Sequence, residues 1–257
     1  MTGSDTPREA ATVALLRPGH SGPQVLLLGR PASASFAPLT EVFPGGSVDR
    51  ADADPKWRSP QGLSAEATWD ARASLRLRVA AIRETYEECG VLLARDAQGH
   101  GCSPQQLAEL APYRALMRAG EPGAFRPALE RLGLALALDE IVFCAHWVTP
   151  EGLPRRFDTR FFLAELPRGQ APTPDPLGEH VSLRWALPAT ALAEGRRGEC
   201  QLLPPTRALL EWLADATSVA EALRQGRAAT VVTVRPRLDD VTADRYPGLD
   251  LSTLHRS

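Results

Sequence analysis

Aromatic residues make up only 6% of this 257-residue chain, and no sign of charge dominates: 29 Lys and Arg stand against 31 Asp and Glu, for a formal charge of -2 and a pI near 6.2. That balance lacks the global basic footprint of a nucleic-acid binder. The four cysteines, Cys89, Cys102, Cys144 and Cys200, are scattered without a CxxC or any Cys/His cluster at zinc spacing, which points to reduced thiols rather than a disulfide frame or zinc site. No window reaches the roughly 18 consecutive apolar residues of a membrane span. The opening "MTGSDTPREA" lacks the charged and apolar regions of a signal peptide, and the closing "LHRS" is neither a prenylation box nor a peroxisomal signal. The expectation is a cytoplasmic protein with no nucleic-acid or membrane partner. What is present, 44% hydrophobic and 23% charged residues, is enough for a substantial core around a small, charged ligand.

Two apolar runs, "TVALLR" (12–17) and "QVLLLGR" (24–30), flank the turn-forming "PGHSGP" and read as an antiparallel strand pair. Residues 49–70 are polar and broken by Pro55, Pro60 and Gly62, as in an inserted loop, and a helical pattern runs from about Ala71 to Leu93. Ser103, Pro104 and Gln106 mark a helix start, with Pro112 expected to break or kink that helix. A short helix is expected near 124–132. The stretches 139–150 and 155–166, rich in aromatic and β-branched residues, read as a second antiparallel pair, followed by a strand near 180–186 and helices near 187–194, 204–216 and 218–226.

The stretch "RETYEECGV" (83–91) places Glu84, Glu87 and Glu88 on one arc of the helix, opposite Leu75, Val79, Ile82, Tyr86 and Cys89. Like charges three and four residues apart oppose a helix by a few tenths of a kcal/mol each, on the order of 0.2–0.5. A hard divalent cation such as Mg²⁺, which takes carboxylates together with waters and substrate phosphates, would relieve that repulsion. Taken alone, the pattern is more often a solvated helix face. Upstream, "FPGG" (43–46) supplies backbone able to turn sharply and approach a ligand closely.

Together these segments resemble the signature of the Nudix hydrolases, in which Gly is followed after five residues by Glu, then after seven by Arg-Glu, and then by Glu-Glu-x-Gly. Gly46 and "RETYEECGV" match its two ends, but an unbroken signature would put the arginine at position 60 instead of 83, so 23 extra residues lie inside it. An insertion there is also a feature of a branch resembling the peroxisomal coenzyme A diphosphatases, to which "FAPLTEVFPGGSVD" (36–49) and "TPEGLPRRFDTRFFLAEL" (149–166) are similar as well. The signature's first Glu falls on Asp52 counted from Gly46 or on Leu75 counted back from Arg83, so Asp49 or Asp52 is left to pair with Arg83.

The resemblance implies a Nudix fold: an α/β architecture with a mixed sheet sandwiched between helices, plus extra helices. The domain would span about 10–216, with the insertion at about 50–72, and residues 217–257 would be an extension packed on it. The implied activity is metal-dependent hydrolysis of a small-molecule diphosphate, coenzyme A or acyl-CoA foremost, to 3′,5′-ADP and (acyl-)4′-phosphopantetheine. Glu84, Glu87, Glu88 and the carbonyl of Gly45 would hold Mg²⁺ or Mn²⁺, Glu84 or Glu179 would act as base, and Arg83 would orient the glutamates. Arg30, Gly46, Arg155 and Arg156 are the substrate-binding candidates, since guanidinium groups suit phosphate. The insertion is expected beside the substrate cleft. The rivals are a Nudix enzyme for another nucleoside diphosphate derivative, such as ADP-ribose, NADH or a nucleotide sugar, and a non-catalytic Nudix sensor. His146, Trp147 and Trp185 read as core.

Overall fold

The computed structural model describes residues 6–32, 39–57, 71–153, 155–174 and 180–237. Residues 58–70, the body of the expected insertion, lie outside these, as do Glu179 and residues 238–257. The first apolar runs form β1 (Arg8–Gly19) and β2 (Gly22–Gly29), a hairpin with Gly19 opposite Gly22. Next come β3 (Thr40–Val42), β4 (Gly45–Ser47), α1 (Ala71–Cys89), β5 (Ala94–Arg95), α2 (Pro104–Arg118), α3 (Phe125–Arg131) and β6 (Ala135–Leu136). The chain continues through β7 (Val142–Val148), β8 (Phe157–Glu165), β9 (Ser182–Ala186), α4 (Pro188–Arg196), β10 (Gln201–Leu202), α5 (Pro204–Ala214), α6 (Val219–Ala228) and β11 (Thr233–Val234).

The main sheet is mixed. Its order is β10-β3-β2-β1-β8-β7-β11, with β4 also paired to β1 and β9 to β2. β1 and β8 are parallel, whereas β1–β2 and β7–β8 are antiparallel. The central strands are apolar on both faces because both are covered. On β1, Ala11, Val13 and Leu15 face α1, α2 and α3, while Ala14 and Leu16 face α4, α5 and α6. This is the expected sheet between two helical layers. α6 contributes Val219, Ala222 and Leu223 to the second core.

Two local expectations change. Pro112 does not end α2, which runs unbroken from Pro104 to Arg118. It lies on the exposed side, as does Ala108, whose carbonyl the proline leaves without a helical donor and which water can satisfy there. α1 is not amphipathic in its surroundings: every residue from Leu77 to Cys89 is buried, the three glutamates included. A solvated carboxylate face is thereby excluded. Trp57, at the start of the insertion, packs on the first core 6.1 Å from the Phe125 ring and donates from Nε1 to the Ala51 carbonyl.

Candidate active site

The carboxylate helix meets the Pro-Gly-Gly turn directly. Val13 N–H bonds to the Pro44 carbonyl, and Gly45 stands opposite Thr12, so Gly45's own N–H and C=O point away from β1 and toward α1. The Gly45 N–H donates to Glu88 Oε2 at 2.8 Å. At Gly46 a methyl group would lie 2.5 Å from the Glu84 carboxyl carbon. Only glycine allows the strand and helix to close to this distance.

Arg83 is the hub. Its guanidinium grips Asp52 through Nε and Nη2 at 2.8 and 2.9 Å, and Nη2 also reaches the Ser47 carbonyl at 2.9 Å. Nη1 donates to Glu84 Oε1 at 2.9 Å and to Glu87 Oε1 at 2.8 Å. Asp52, only 1% exposed, is set by a 3-10 turn at Arg50–Ala53 in which Asp49 caps the Ala51 N–H and Asp52 Oδ2 accepts from the Asp49 N–H. Of the two acids open as partners of Arg83, Asp52 is the one that pairs with it, and Asp49 shapes the turn. The extra residues therefore enter the signature after its first acid.

α2 packs against the end of α1 and holds it. Arg114 donates to the Glu87 and Glu88 carbonyls at 2.8 and 2.9 Å and to Thr173 Oγ1 at 2.7 Å, satisfying the last turn of the helix. The chain leaves α1 at Gly90 with φ of +71°, a left-handed exit that suits glycine. Arg118 Nη1 stands 3.9 Å from Glu87 Oε2, and His180 Nε2 stands 3.7 Å from Glu88 Oε1 with both side chains buried.

Burial dominates the electrostatics. It raises the pKa of Glu84 to about 7 against the opposing pull of Arg83, with Glu87 adding repulsion. Glu87 is also raised by burial, with Arg83 opposing. Glu88 is pushed well above the carboxylate range by burial and then by Glu84, while the Gly45 N–H and the Arg118 and Arg30 charges pull it down. Burial alone would lower Arg83, but its bond to Asp52 and the charges of Glu84, Asp52 and Glu87 hold it above its ordinary value.

Among the described residues no three His, Cys, Asp or Glu groups already converge as metal ligands. Arg83 and Gly45 hold one oxygen each of Glu84, Glu87 and Glu88. The donor set still fits a hard divalent cation: all oxygen, buried, acidic beyond the guanidinium charge that contacts it, and joined by a backbone carbonyl facing the helix.

Of the substrate-binding candidates, Gly46 lies against Glu84, and Arg30 acts on Glu88 through its charge. Arg155 is exposed, and Arg156 donates to the Thr149 carbonyl at 3.2 Å and lines a cavity with Arg235 and Arg237. Glu179 lies outside the described residues. The sequence pattern did not single out Arg114, Arg118 or His180. Arg114 had a signal, because Leu107, Leu110 and Arg114 follow the helical period that carries core residues. His180 had none in spacing, since 92 residues separate it from Glu88.

A mixed sheet between helical layers, with an Arg-Glu-x-x-Glu-Glu helix laid against a glycine turn, defines the Nudix fold class. The profile of the NUDT19 Nudix domain matches residues 65–211, more than half of the chain. The chain belongs to that family. It is 31% identical over 248 residues to the acyl-coenzyme A diphosphatase NUDT19 of Gallus gallus, covering 77% of this chain and 65% of the relative. It is 29% identical over 250 residues to the protein of the same name from Homo sapiens, covering 83% of this chain and 66% of the relative. The chain thus spans just under two thirds of these relatives' lengths. The crystal structure of a Nudix hydrolase from Alicyclobacillus acidocaldarius superposes with a TM-score of 0.69 at 28% identity, covering 86% of this chain and 97% of that one.

Proposed function

We propose that this protein is a metal-dependent diphosphatase that cleaves coenzyme A or acyl-CoA to 3′,5′-ADP and (acyl-)4′-phosphopantetheine. The observation that carries the reading is the buried constellation in which Asp52 fixes Arg83, Arg83 fixes Glu84 and Glu87, and the Gly45 N–H fixes Glu88. The substrate class is supported by the names of the two relatives. Glu84, Glu87, Glu88 and the Gly45 carbonyl would hold Mg²⁺ or Mn²⁺. A cation there supplies positive charge that polarises phosphoryl oxygens and acidifies a water molecule.

The chain's own residues do the rest. Glu84 accepts the proton of the attacking water as the water oxygen bonds to phosphorus and the anhydride P–O bond breaks. Arg83 keeps that carboxylate aimed. Arg114 prevents the end of the helix from fraying, and Arg30, whose charge acts on Glu88, carries a guanidinium suited to phosphate.

The test is incubation with Mg²⁺ or Mn²⁺ and a panel of coenzyme A, acyl-CoA, ADP-ribose, NADH and a nucleotide sugar, with products identified by mass. Coenzyme A or its acyl form should show the highest kcat/KM and yield 3′,5′-ADP. Faster cleavage of ADP-ribose or NADH would replace the substrate, and no cleavage of any compound would remove the activity.

A further inference from the structure

The first stretch of the insertion is tied back onto the site it interrupts. After the 3-10 turn at Arg50–Ala53, the Trp57 N–H bonds to the Asp54 carbonyl at 3.0 Å and Trp57 Nε1 donates to the Ala51 carbonyl at 2.9 Å. The indole therefore grips the turn that carries Asp52. The same indole lies 6.1 Å from the Phe125 ring at the start of α3, where Arg126 stands 3.4 Å from the Asp54 carboxylate. Phe125 in turn stacks on Tyr86, with 5.8 Å between centroids and 12° between planes. Tyr86 belongs to α1 and lies between Glu84 and Glu87 in the sequence. One row of rings, Trp57, Phe125 and Tyr86, thus runs from the Asp52 turn to the carboxylate helix. The bonds from Arg83 to Asp52, at 2.8 and 2.9 Å, bridge the same two elements.

We propose that Trp57 is a positioning residue for the hydrolysis, acting through Asp52 on Arg83 and so on Glu84 and Glu87; this rests on the diphosphatase reading above. Aspartate is one methylene shorter than the glutamate of the signature, so the backbone of its turn must come closer to the guanidinium. The Asp49 cap shapes that turn from within, whereas the row of rings fixes its distance from α1. Aromatic side chains suit this task, because each orders a large, rigid contact area at the cost of only two side-chain torsions. Arg83 Nη1 aims two carboxylates at once. A turn that drifted from the helix would therefore misdirect both, and supporting residues must hold a catalytic group to within about 0.5 Å. Trp57 makes the first residues of the insertion a working part of the site.

The experiment measures kcat and KM for coenzyme A with Mg²⁺, and the urea midpoint, in the unaltered chain, Trp57→Ala, Asp52→Glu and the double variant. Trp57→Ala should lower kcat about tenfold, as misplacement of a catalytic group does, with KM changed less than about twofold. Asp52→Glu alone should also lower kcat, because the longer acid overfills a braced turn. In the double variant the longer acid spans the gap left by the lost ring. Its kcat should exceed that of either single variant, a reversal that loss of packing alone does not produce. If Trp57→Ala does not fold, Trp57→Phe, which keeps a ring beside Phe125 and loses the Nε1 bond, takes its place with the same signs at smaller size. The proposal is overturned if the Trp57 variant turns over coenzyme A at the unaltered rate, if its loss falls on KM, or if Asp52→Glu does not raise kcat in that background. No cleavage by the unaltered chain removes the diphosphatase reading instead. The brace is then judged by the urea midpoint, where compensation in the double variant supports it and additive losses overturn it.

Discussion

Asp52 shows how one residue absorbs a large insertion. Counted from Gly46 it occupies the signature's first acidic position, one methylene shorter than the usual Glu, and it reaches Arg83 because the Asp49 cap presses its turn against the helix. Asp52→Ala would leave a buried guanidinium with less compensation. Because Glu84, Glu87 and Ser47 still engage Arg83, the cost should be near the lower end for a broken buried pair, about 3 kcal/mol in urea unfolding. A loss below about 1 kcal/mol, the size expected of an exposed pair, would contradict the hub role. Gly46 makes a complementary prediction. A methyl group there overlaps the Glu84 carboxyl, so Gly46→Ala should lower kcat/KM at least tenfold and cost about 1–3 kcal/mol of stability. Unchanged kinetics would show that the close approach is not needed. At this scale the sequence disclosed the carboxylates because they are contiguous on one helix. It left Asp49 and Asp52 undecided, since a 23-residue interruption removes the spacing that would choose between them.

Elements were legible where one local rule acts alone. The capping residues Ser103 and Gln106 start α2 where the sequence places it, and the doubly covered strands read as continuous apolar runs. Pro112 does not break α2, because its helix-breaking effect depends on which face it occupies. The environment of α1 misled because periodicity reports which residues are polar, and not whether other elements cover them. The Pro-Gly-Gly turn lies on Glu84 and Glu88, while α2 packs on the last turn of the carboxylate helix, where Arg114 is its hold. Arg114→Ala removes donors from the Glu87 and Glu88 carbonyls and from Thr173. It should cost about 2–3 kcal/mol in chemical denaturation, with activity falling alongside as the last turn loosens. Arg114→Lys should recover only part, since an ammonium cannot reproduce the fork. Full stability in the alanine variant would contradict the clamp.

At the scale of the whole molecule, the sheet gathers what the chain keeps far apart. Hairpin β1–β2 and β4 bring the glycine turn to α1, β8 stands beside β1, and the segment before β9 carries His180 to Glu88. No spacing in the sequence predicts such a meeting. Arg156 lines one cavity with Arg235 and Arg237, and Glu84 is not among that cavity's lining residues. None of the described helices is long and apolar enough to cross a membrane. The central claim is that the buried glutamates of α1 drive hydrolysis, and the most direct measurement is the rate of coenzyme A cleavage at saturating Mg²⁺ by the unaltered chain and by Glu88→Gln, with both melting temperatures recorded. Glutamine keeps an acceptor for the Gly45 N–H and removes a buried charge, so the fold should hold or gain stability. The account predicts a rate lower by at least ~100-fold with an undiminished melting temperature; a rate near that of the unaltered chain would contradict it.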